Sequence, residues 1–284
     1  MNVWTPPVIL PEPGVAKPGA VLVADSLVRR FGGVTAVDVA HLEVQPGVIT
    51  SVIGPNGAGK STLYNLVSGF DKPQAGSVYF DGERVSGRFA YKVARAGLVR
   101  TFQIPRALDR LTVHENMLLG ARNQRGERLW AALFAGLWRS QERAASERAD
   151  ALLEEFKLAH MRDKLAGTLS GGQRKLLEMA RALMTEPRMI LLDEPMAGVN
   201  PALRQTIAEH IVRMRDDGTT ILNFIEHDMD VVMSISDWVV VLSEGRVIAE
   251  GPPESVARDQ QVIDAYLGAR RGHGDDTDAQ DGSP

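Results

Sequence analysis

The stretch GPNGAGKST, residues 54–62, constrains what this chain can fold into more than any other stretch. It fits the pattern G-x-x-x-x-G-K-[ST], with Lys60 and Ser61 at the required places. The run GVITSVI before it suits a buried strand, and KSTLYNLVSGF after it predicts a helix that ends at Gly69. Glycines let a backbone wrap an anion closely, and the N–H groups at a helix N-terminus favour negative charge. The stretch therefore predicts a strand, a phosphate-binding loop and a helix in direct succession.

Around this loop the pattern alternates between strands and helices. Five further runs have the β-branched content or the apolar continuity of strands: VLVADSLVRRF, TAVDVAHLEV, RMILLDEP, TTILNFIEHD and WVVVLSEGRVIAEG. The run GSVYFDGERV predicts a hairpin that turns at Asp-Gly. The block 105–186 has a pattern that is almost wholly helical. This order predicts a mainly parallel α/β core with a helical lobe inserted into it.

The composition excludes several classes of protein. The chain has 284 residues, no cysteine and a net charge of −4. It therefore offers no disulfide, thiolate metal site or cysteine nucleophile, and it lacks the basic excess of a general nucleic-acid binder. No apolar run reaches the roughly 18 residues of a membrane-spanning helix. We expect a flexible, proline-rich lead over 1–20, without the features of a signal peptide, and a disordered polar tail over 269–284.

Two adjacent acids follow another apolar run. MILLDE ends in Asp193 and Glu194, and successive side chains of a strand point to opposite faces. Asp193 can therefore lie beside an Mg²⁺ ion bound by the Ser61 hydroxyl, while Glu194 orients or deprotonates a water molecule. In the same scheme Lys60 reaches the β- and γ-phosphates of a nucleotide. Next to a phosphate-binding loop, the two acids predict a catalytic site.

A second glycine turn, LSGGQ at 169–173, opens another helical pattern. Combined with the phosphate loop, it resembles the signature of the ATP-binding cassette (ABC) ATPases. The resemblance covers nearly the whole of residues 21–268. It implies an α/β P-loop core with an N-terminal antiparallel β subdomain and an inserted α-helical subdomain. The implied bounds are 21–104 and 187–250 for the core, 105–186 for the helical lobe and 251–268 for a C-terminal helix.

The resemblance also implies roles for single residues. Gln103 in RTFQ matches the glutamine that links the metal site to the helical lobe, and His227 in IEHD matches the histidine that holds the γ-phosphate. Phe31 in RRFGG matches the aromatic residue that stacks on adenine. The implied catalytic residues are Glu194, His227 and Gln103, and the implied Mg²⁺ ligands are Ser61, Gln103 and Asp193.

In the ABC family two chains meet head to tail, so that each signature covers the ATP of the other chain. The two glycine turns would then hold two different nucleotides. The implied ATP-binding residues of the chain's own site are Phe31, Gly54, Pro55, Asn56, Gly57, Ala58, Gly59, Lys60, Ser61 and Thr62. Those that face the partner's ATP are Ser170, Gly171, Gly172 and Gln173.

One position departs from the usual family pattern. The loop after Glu194 usually ends in aspartate, whereas MAGVNP places Asn200 there, an acceptor without the charge. This variant, with RTFQIPRALDRLTVHENMLLGA and VIDAYLG, resembles the branch that serves branched-chain amino acid import. The branch implies ATP and Mg²⁺ as cofactors and a location at the cytoplasmic face of the cell membrane, with the chain soluble when alone. The implied partners are a second cassette chain, two permease subunits and, indirectly, a solute-binding protein, with no nucleic acid.

Other interpretations stay open. Importers of urea or other amides share some of the subtype marks. A soluble ABC ATPase of iron–sulfur cluster assembly is another alternative, although its signature is usually less orthodox than LSGGQ. DNA-repair and translation members carry zinc ribbons, long coiled coils or two cassettes, which this sequence lacks. The segment LWAALFAGLW, 129–138, predicts packing in the helical lobe or contact with the membrane surface or a permease. Surface or packing positions are expected for His41, His114, His160, His210 and His273.

Overall fold

The structure is a computed structural model that describes residues 10–101, 108–121, 139–224 and 229–271. The chain divides into two compact units. Unit 1 is Met1–Ala96 together with Thr220–Pro284, and unit 2 is Gly97–Thr219. Unit 1 is therefore built from two separate parts of the chain, whereas unit 2 is continuous.

Unit 1 contains an antiparallel sheet. Its strands are β1 (Leu22–Phe31), β2 (Val34–Val44), β4 (Ala75–Phe80) and β5 (Glu83–Arg84), in the order β2-β1-β4-β5. Asp81 and Gly82 turn the β4–β5 hairpin with φ of 57° and 76°, and a type I′ turn requires positive φ at both positions. The predicted Asp-Gly hairpin is confirmed.

A second group of strands in unit 1 is mainly parallel. The fully buried β3 (Ile49–Ile53) pairs in parallel with β8 (Thr220–Phe224) on one side and with β9 (Trp238–Ser243) on the other. Strand β10 (Arg246–Gly251) pairs antiparallel with β9. The helices of this unit are α1 (Lys60–Val67), α2 (Ala90–Ala96), α7 (Met229–Ile235), α8 (Pro253–Val256) and α9 (Gln260–Arg271).

Residues 10–20 differ from the flexible lead that the sequence predicted. The buried carboxylate of Glu250 accepts hydrogen bonds from Gly14 N (2.6 Å), Lys17 Nζ (2.7 Å) and Trp238 Nε1 (2.9 Å). The Lys17 side chain is 1% exposed and that of Glu250 is fully buried. A buried charge is costly unless it is paired and hydrogen-bonded, so Glu250 holds this segment in place. Of the polar tail predicted to be disordered over 269–284, residues 269–271 belong to helix α9, and the rest lies outside the described residues.

Unit 2 joins two parallel strands to a set of helices. Strands β6 (Leu98–Arg100) and β7 (Met189–Asp193) pair in parallel. The described helices are α3 (Val113–Leu118), α4 (Arg139–Glu155), α5 (Gly171–Leu183) and α6 (Pro201–Asp216), with short 3-10 turns at Ala159–Met161 and Ala166–Thr168. The apolar segment 129–138 lies outside the described residues. The predicted α/β class with an antiparallel β subdomain and helical elements is confirmed.

Among the described residues, no helix combines the length and the apolar character needed to cross a bilayer.

Candidate nucleotide-binding site

The phosphate loop in unit 1 is shaped by glycines that no other residue can replace without strain. Gly54 has φ of 154° and Gly59 has φ of 99°. A Cβ on Gly54 would lie 2.1 Å from the Leu242 carbonyl oxygen, and a Cβ on Gly59 would lie 2.1 Å from the Ala36 carbonyl oxygen. Both obstacles are backbone atoms, which cannot rotate away. Close backbone packing therefore constrains the path of the loop at both of these positions.

The loop leads into a helix start that its own side chains do not cap. Helix α1 begins at Lys60 after the N-cap Gly59, which has no side chain to accept a hydrogen bond from the first turn. The Lys60 ammonium is buried and donates to the carbonyl oxygens of Gly54 (2.7 Å) and Pro55 (2.9 Å). A cation and an uncapped helix N-terminus at one place form an anion site. Asn56 and Gly57 are exposed at the tip of the loop.

Two backbone hydrogen bonds, both made by Gly245, connect the phosphate loop to strand β2. Gly245 N donates to the Ala58 carbonyl oxygen (2.9 Å), and Asp38 N donates to the Gly245 carbonyl oxygen (2.8 Å). The hairpin formed by β1 and β2 is thus fixed relative to the phosphate loop. Any side chain at the turn of that hairpin has a defined place with respect to bound phosphate.

Phe31, predicted to stack on adenine, lies at the end of β1. Its ring is half exposed, and the Arg29 guanidinium carbon is 4.5 Å from the ring centroid. Arg29 Nε in turn donates to Asp71 Oδ2 at 2.8 Å. The ring is supported by a cation–π contact whose cation is itself held by an ion pair. Sequence reasoning missed Arg29 and Asp71, because their pairing joins residues 42 positions apart.

The two predicted acids lie at the end of β7 in unit 2. Asp193 is half-buried, and its Oδ2 accepts a hydrogen bond from Arg100 Nη2 at 3.4 Å. Strand β6 continues past Arg100, where Thr101 N donates to the Leu191 carbonyl oxygen at 2.9 Å. Glu194 has φ of 44°, in the left-handed region that residues with side chains seldom adopt. The strand ends in a sharp change of backbone direction at the second acid.

The signature turn of unit 2 caps its own helix. Ser170 Oγ accepts from Gln173 N (3.3 Å), and Gln173 Oε1 accepts from Ser170 N (3.0 Å), which is a capping box at the start of α5. Ser170 and Gly171 are exposed. The Ser170 hydroxyl uses a lone pair in this cap, which leaves its proton for another acceptor.

A lysine on α5 contacts the turn that follows the two acids. Lys175 Nζ donates to the carbonyl oxygens of Glu194 (3.1 Å) and Ala197 (2.6 Å). Burial lowers the pKa of Lys175, an effect that the carboxylates of Glu194, Glu178 and Asp193 oppose. No sequence motif pointed to this lysine, since its partners are backbone atoms 19 and 22 residues away.

Asn200, the departure from the usual family pattern, begins a helix. Its Oδ1 accepts from Leu203 N at 2.9 Å, and Pro201 is the first residue of α6. Asparagine and aspartate are both good N-caps, so the local structure accepts either. Two other predicted residues, Gln103 and His227, lie outside the described residues.

The family is decided by comparison with known proteins. A family model described as ABC transporter matches residues 37–197, which include the phosphate loop, the LSGGQ turn and both acids. The chain belongs to the ABC transporter family. A second family model, described as a branched-chain amino acid ATP-binding cassette transporter, matches residues 246–271. The resemblance inferred from the sequence motifs is confirmed.

Several curated relatives of this ABC chain match over most of their length. It is 42% identical over 249 residues to the high-affinity branched-chain amino acid transport ATP-binding protein BraF of Pseudomonas aeruginosa, covering 87% of this chain and 98% of the relative. It is 39% identical over 253 residues to LivG of Escherichia coli, whose name is otherwise the same, with coverages of 87% and 98%.

Solved ABC structures agree with this placement. A nucleotide-free ATP-binding cassette from an ABC transporter is 40% identical, with a TM-score of 0.75, over 87% of this chain and 98% of that one. A structure of the ADP conformation of an ATP-binding cassette of an ABC transporter has the same identity and TM-score over 88% of this chain and 99% of that one. Both relatives therefore share the fold along nearly their entire chains.

Proposed function

We propose that this chain is the ATP-binding and ATP-hydrolysing subunit of an ABC importer for branched-chain or related amino acids. The observation that carries ATP binding is the uncapped start of α1 behind a glycine-fixed loop, with Lys60 buried beside it. The importer subtype is supported by the names of the BraF and LivG relatives and by the match of the C-terminal family model. The solute is recognised by other subunits, so the cassette supplies the energy of transport.

The nucleotide is held through its phosphates and its base. The first-turn N–H groups of α1 and the Lys60 ammonium bind the β- and γ-phosphates, while Phe31 stacks on adenine. Lys60 exchanges its present bonds to two loop carbonyls for bonds to phosphate oxygens. Residues 54–62 wrap the phosphates with backbone N–H groups, and Thr62 follows Ser61 on the first turn of α1.

The residues assigned to Mg²⁺ fit that ion by their donor set. Ser61 offers a hydroxyl oxygen at the exposed start of α1, Asp193 a carboxylate held by Arg100, and Gln103 an amide oxygen. Mg²⁺ prefers such oxygen ligands and keeps some of its waters. When bound, it neutralises part of the charge on the β- and γ-phosphates.

Hydrolysis requires a base for the attacking water. Glu194 accepts the water proton, and His227 holds the γ-phosphate in line for attack. Ser170, Gly171, Gly172 and Gln173 close on the ATP of a second cassette chain, so ATP joins the two chains until it is hydrolysed. That dimer lies at the cytoplasmic face of the membrane, where it works with two permease subunits and, indirectly, with a solute-binding protein.

The separable roles of Lys60 and Glu194 test this function. Lys60→Ala removes a cation from the phosphate site and is expected to weaken ATP binding and abolish turnover. Glu194→Gln is expected to bind ATP normally and to lower hydrolysis by about 10²- to 10⁴-fold, because an amide cannot accept the proton. Equilibrium ATP binding and phosphate release are measured on both variants. Near wild-type turnover of Glu194→Gln would show that the base is another residue.

The head-to-tail dimer has its own test, which the absence of cysteine makes clean. Asn56→Cys and Ser170→Cys are placed on separate copies that both carry Glu194→Gln, and a short bis-maleimide is added with or without ATP. ATP is expected to promote a link between copies. If ATP promotes only a link within one chain carrying both cysteines, the head-to-tail arrangement is wrong.

A further inference from the structure

The turn that follows β7 has an unusual backbone. Glu194 lies in the left-handed region with φ of 44°, and Ala197 N donates to the Glu194 carbonyl oxygen at 3.1 Å. The turn therefore spans four residues, 194–197, and its first residue is the proposed base. Such backbone conformations persist only where surrounding contacts hold them. The direction of the Glu194 side chain depends on whatever holds this turn.

Lys175 holds the turn at both of its ends. Its ammonium donates to the carbonyl oxygen of Glu194, the first residue, at 3.1 Å, and to that of Ala197, the last residue, at 2.6 Å. These bonds carry a full charge on the donor, which makes them stronger than bonds between neutral groups. The lysine is partly buried, so its ammonium is partly shielded from water.

Lys175 also belongs to the signature helix. It lies two residues after Gln173, whose side chain forms the capping box with Ser170. A second contact joins the same part of unit 2, because the position that a Cβ on Gly172 would take is 1.9 Å from Leu203 Cδ2. The first turns of α5 therefore contact the segment 194–203 at two places. A displacement of the signature is carried directly to the turn that bears Glu194.

From this geometry we propose that Lys175 is a positioning residue for ATP hydrolysis, which ties the placement of Glu194 to the signature helix. The proposal rests on the proposed function, in which Glu194 is the base and the signature covers the partner's nucleotide. Closure of the signature on one ATP then sets the backbone of the base that acts on the other. Lys175 itself touches neither nucleotide nor water in this scheme.

The test separates hydrolysis from ATP-driven association. Lys175→Met removes the two bonds but keeps the length and the apolar stem of the side chain. Because misplacement of a catalytic group by about 1 Å can cost roughly 10²-fold, we expect kcat to fall about 10- to 100-fold while KM for ATP changes less than about twofold. In the Glu194→Gln background, the ATP-dependent link between Asn56→Cys and Ser170→Cys should form to the same yield with and without Lys175→Met.

Two further variants act as controls. Lys175→Arg keeps a cation with several donors and is expected to recover at least half of the lost kcat on a logarithmic scale. Arg148→Met removes a comparable bond to the C-terminal end of α5. Arg148, on helix α4, donates from Nη2 to the carbonyl oxygen of Leu183, the last residue of α5, at 3.0 Å. It should leave kcat, KM and the cross-link unchanged. Should Lys175→Met not fold, Lys175→Gln removes the charge and is measured in the same assays.

The outcomes distinguish the two proposals. Wild-type kcat in both Lys175→Met and Lys175→Gln would overturn the role of Lys175, as would a cross-link yield that falls as far as kcat. A raised KM with unchanged kcat would show that Lys175 serves binding and would also overturn it. Absence of ATP hydrolysis by the wild-type chain with its partners, or wild-type turnover of Glu194→Gln, would instead count against the proposed function.

Discussion

The two glycine turns of this chain both lead into a helix, but their glycines serve different purposes. In the phosphate loop of unit 1, a Cβ on Gly54 or Gly59 would meet a backbone oxygen at 2.1 Å, and the following helix has no side-chain cap. In the signature of unit 2, a Cβ on Gly171 would meet no atom of the described residues within 4 Å, and Ser170 and Gln173 already cap the helix. The first turn is held by backbone packing and leads into a helix whose N-cap has no side chain. The second turn caps its own helix with the Ser170 and Gln173 side chains, and its outer side is exposed to solvent.

This difference teaches what glycine contributes in each place. In the phosphate loop glycine is required by the fold of the chain itself, because positive φ and close backbone packing exclude other residues. In the signature, Gly171 faces open space, so its lack of a side chain has no structural use within this chain. Space that is left open on an exposed helix start suits the close approach of another molecule. The comparison therefore supports a signature that serves a nucleotide bound elsewhere.

The largest effect on ATP affinity is expected from a substitution in the phosphate loop. Gly59→Ala drives a Cβ into the Ala36 carbonyl oxygen, and we expect ATP affinity to fall by about 100-fold or more, since such strain costs several kcal/mol. Gly171→Ala, its matched control, should change the ATP affinity of the undimerised chain and its free energy of unfolding by less than about 0.5 kcal/mol. Equilibrium ATP binding and urea unfolding measure both. Equal losses of affinity in the two variants would remove the distinction between the turns.

A second prediction concerns the inner side of the signature. Gly172→Ala forces Leu203 to move, and overpacking of this kind lowers the free energy of unfolding by about 1–3 kcal/mol. In the background of Leu203→Ala the same change should cost less than half as much, because the obstructing Cδ2 atom is gone. A urea-unfolding double-mutant cycle measures the difference. Additive costs would mean that Leu203 is not what Gly172 accommodates.

The third prediction uses pH to probe unit 2. His210 is buried and stacks on Phe156, with ring centroids 4.2 Å apart. Burial lowers the pKa of His210, and the charges of Arg213 and Lys157 lower it further, although Glu209 opposes them. The unfolded state therefore binds this proton more readily than the folded state does. The resulting stability is present above the unfolded pKa of about 6.5 and is lost as the pH falls below it, by at most about 1.4 kcal/mol per pH unit.

The matched variants for this pH effect are His210→Phe and His160→Gln. His210→Phe keeps an aromatic ring against Phe156 and should remove most of the pH dependence between pH 7 and 5. His160 is exposed, and His160→Gln should retain the wild-type dependence. Urea unfolding across this pH range gives the free energies. A dependence that survives in His210→Phe assigns the effect to other groups.

The smallest effect on ATP affinity is expected at the Phe31 ring in unit 1. Arg29→Ala removes the cation from the Phe31 ring, and we expect ATP affinity to fall about 2- to 5-fold, the equivalent of a cation–π contact. Inorganic tripolyphosphate, which has no base, should bind the variant and the wild-type chain equally. Competition titrations compare the two ligands. An equal loss of tripolyphosphate affinity would show that the substitution acts on the phosphate loop and not on the stacking of adenine on Phe31.

The sequence was enough to predict the features that local patterns encode. The strand, loop and helix around Lys60, the Asp-Gly hairpin at Asp81 and the acids at the end of β7 each depend on residues that are close neighbours in sequence. The functional roles predicted for all the site residues, Gln103 and His227 among them, stay predictions. Asn200 was recognised as a departure, and its role as a helix cap follows the ordinary preference of asparagine.

What the sequence could not reveal are contacts between distant segments. Lys175 meets backbone carbonyls 19 and 22 residues away, and Arg29 meets Asp71 42 residues away. Neither pairing leaves a periodic pattern, because backbone oxygens are present in every residue and ion pairs can form at any separation. The same reason explains why residues 10–20 were expected to be flexible. Their anchor, Glu250, lies on strand β10, far along the chain.

That anchor has a consequence for the order of events during protein synthesis. Lys17 emerges from the ribosome 233 residues before its partner Glu250, an interval of roughly 10 to 50 s at typical translation rates. The phosphate loop acquires its packing contacts almost as late, because its backbone neighbours Leu242 and Gly245 are also synthesised near the end of the chain. Unit 2 is continuous and is complete by then. A nascent chain is thus expected to carry a folded signature turn well before it acquires the ability to hold its own nucleotide.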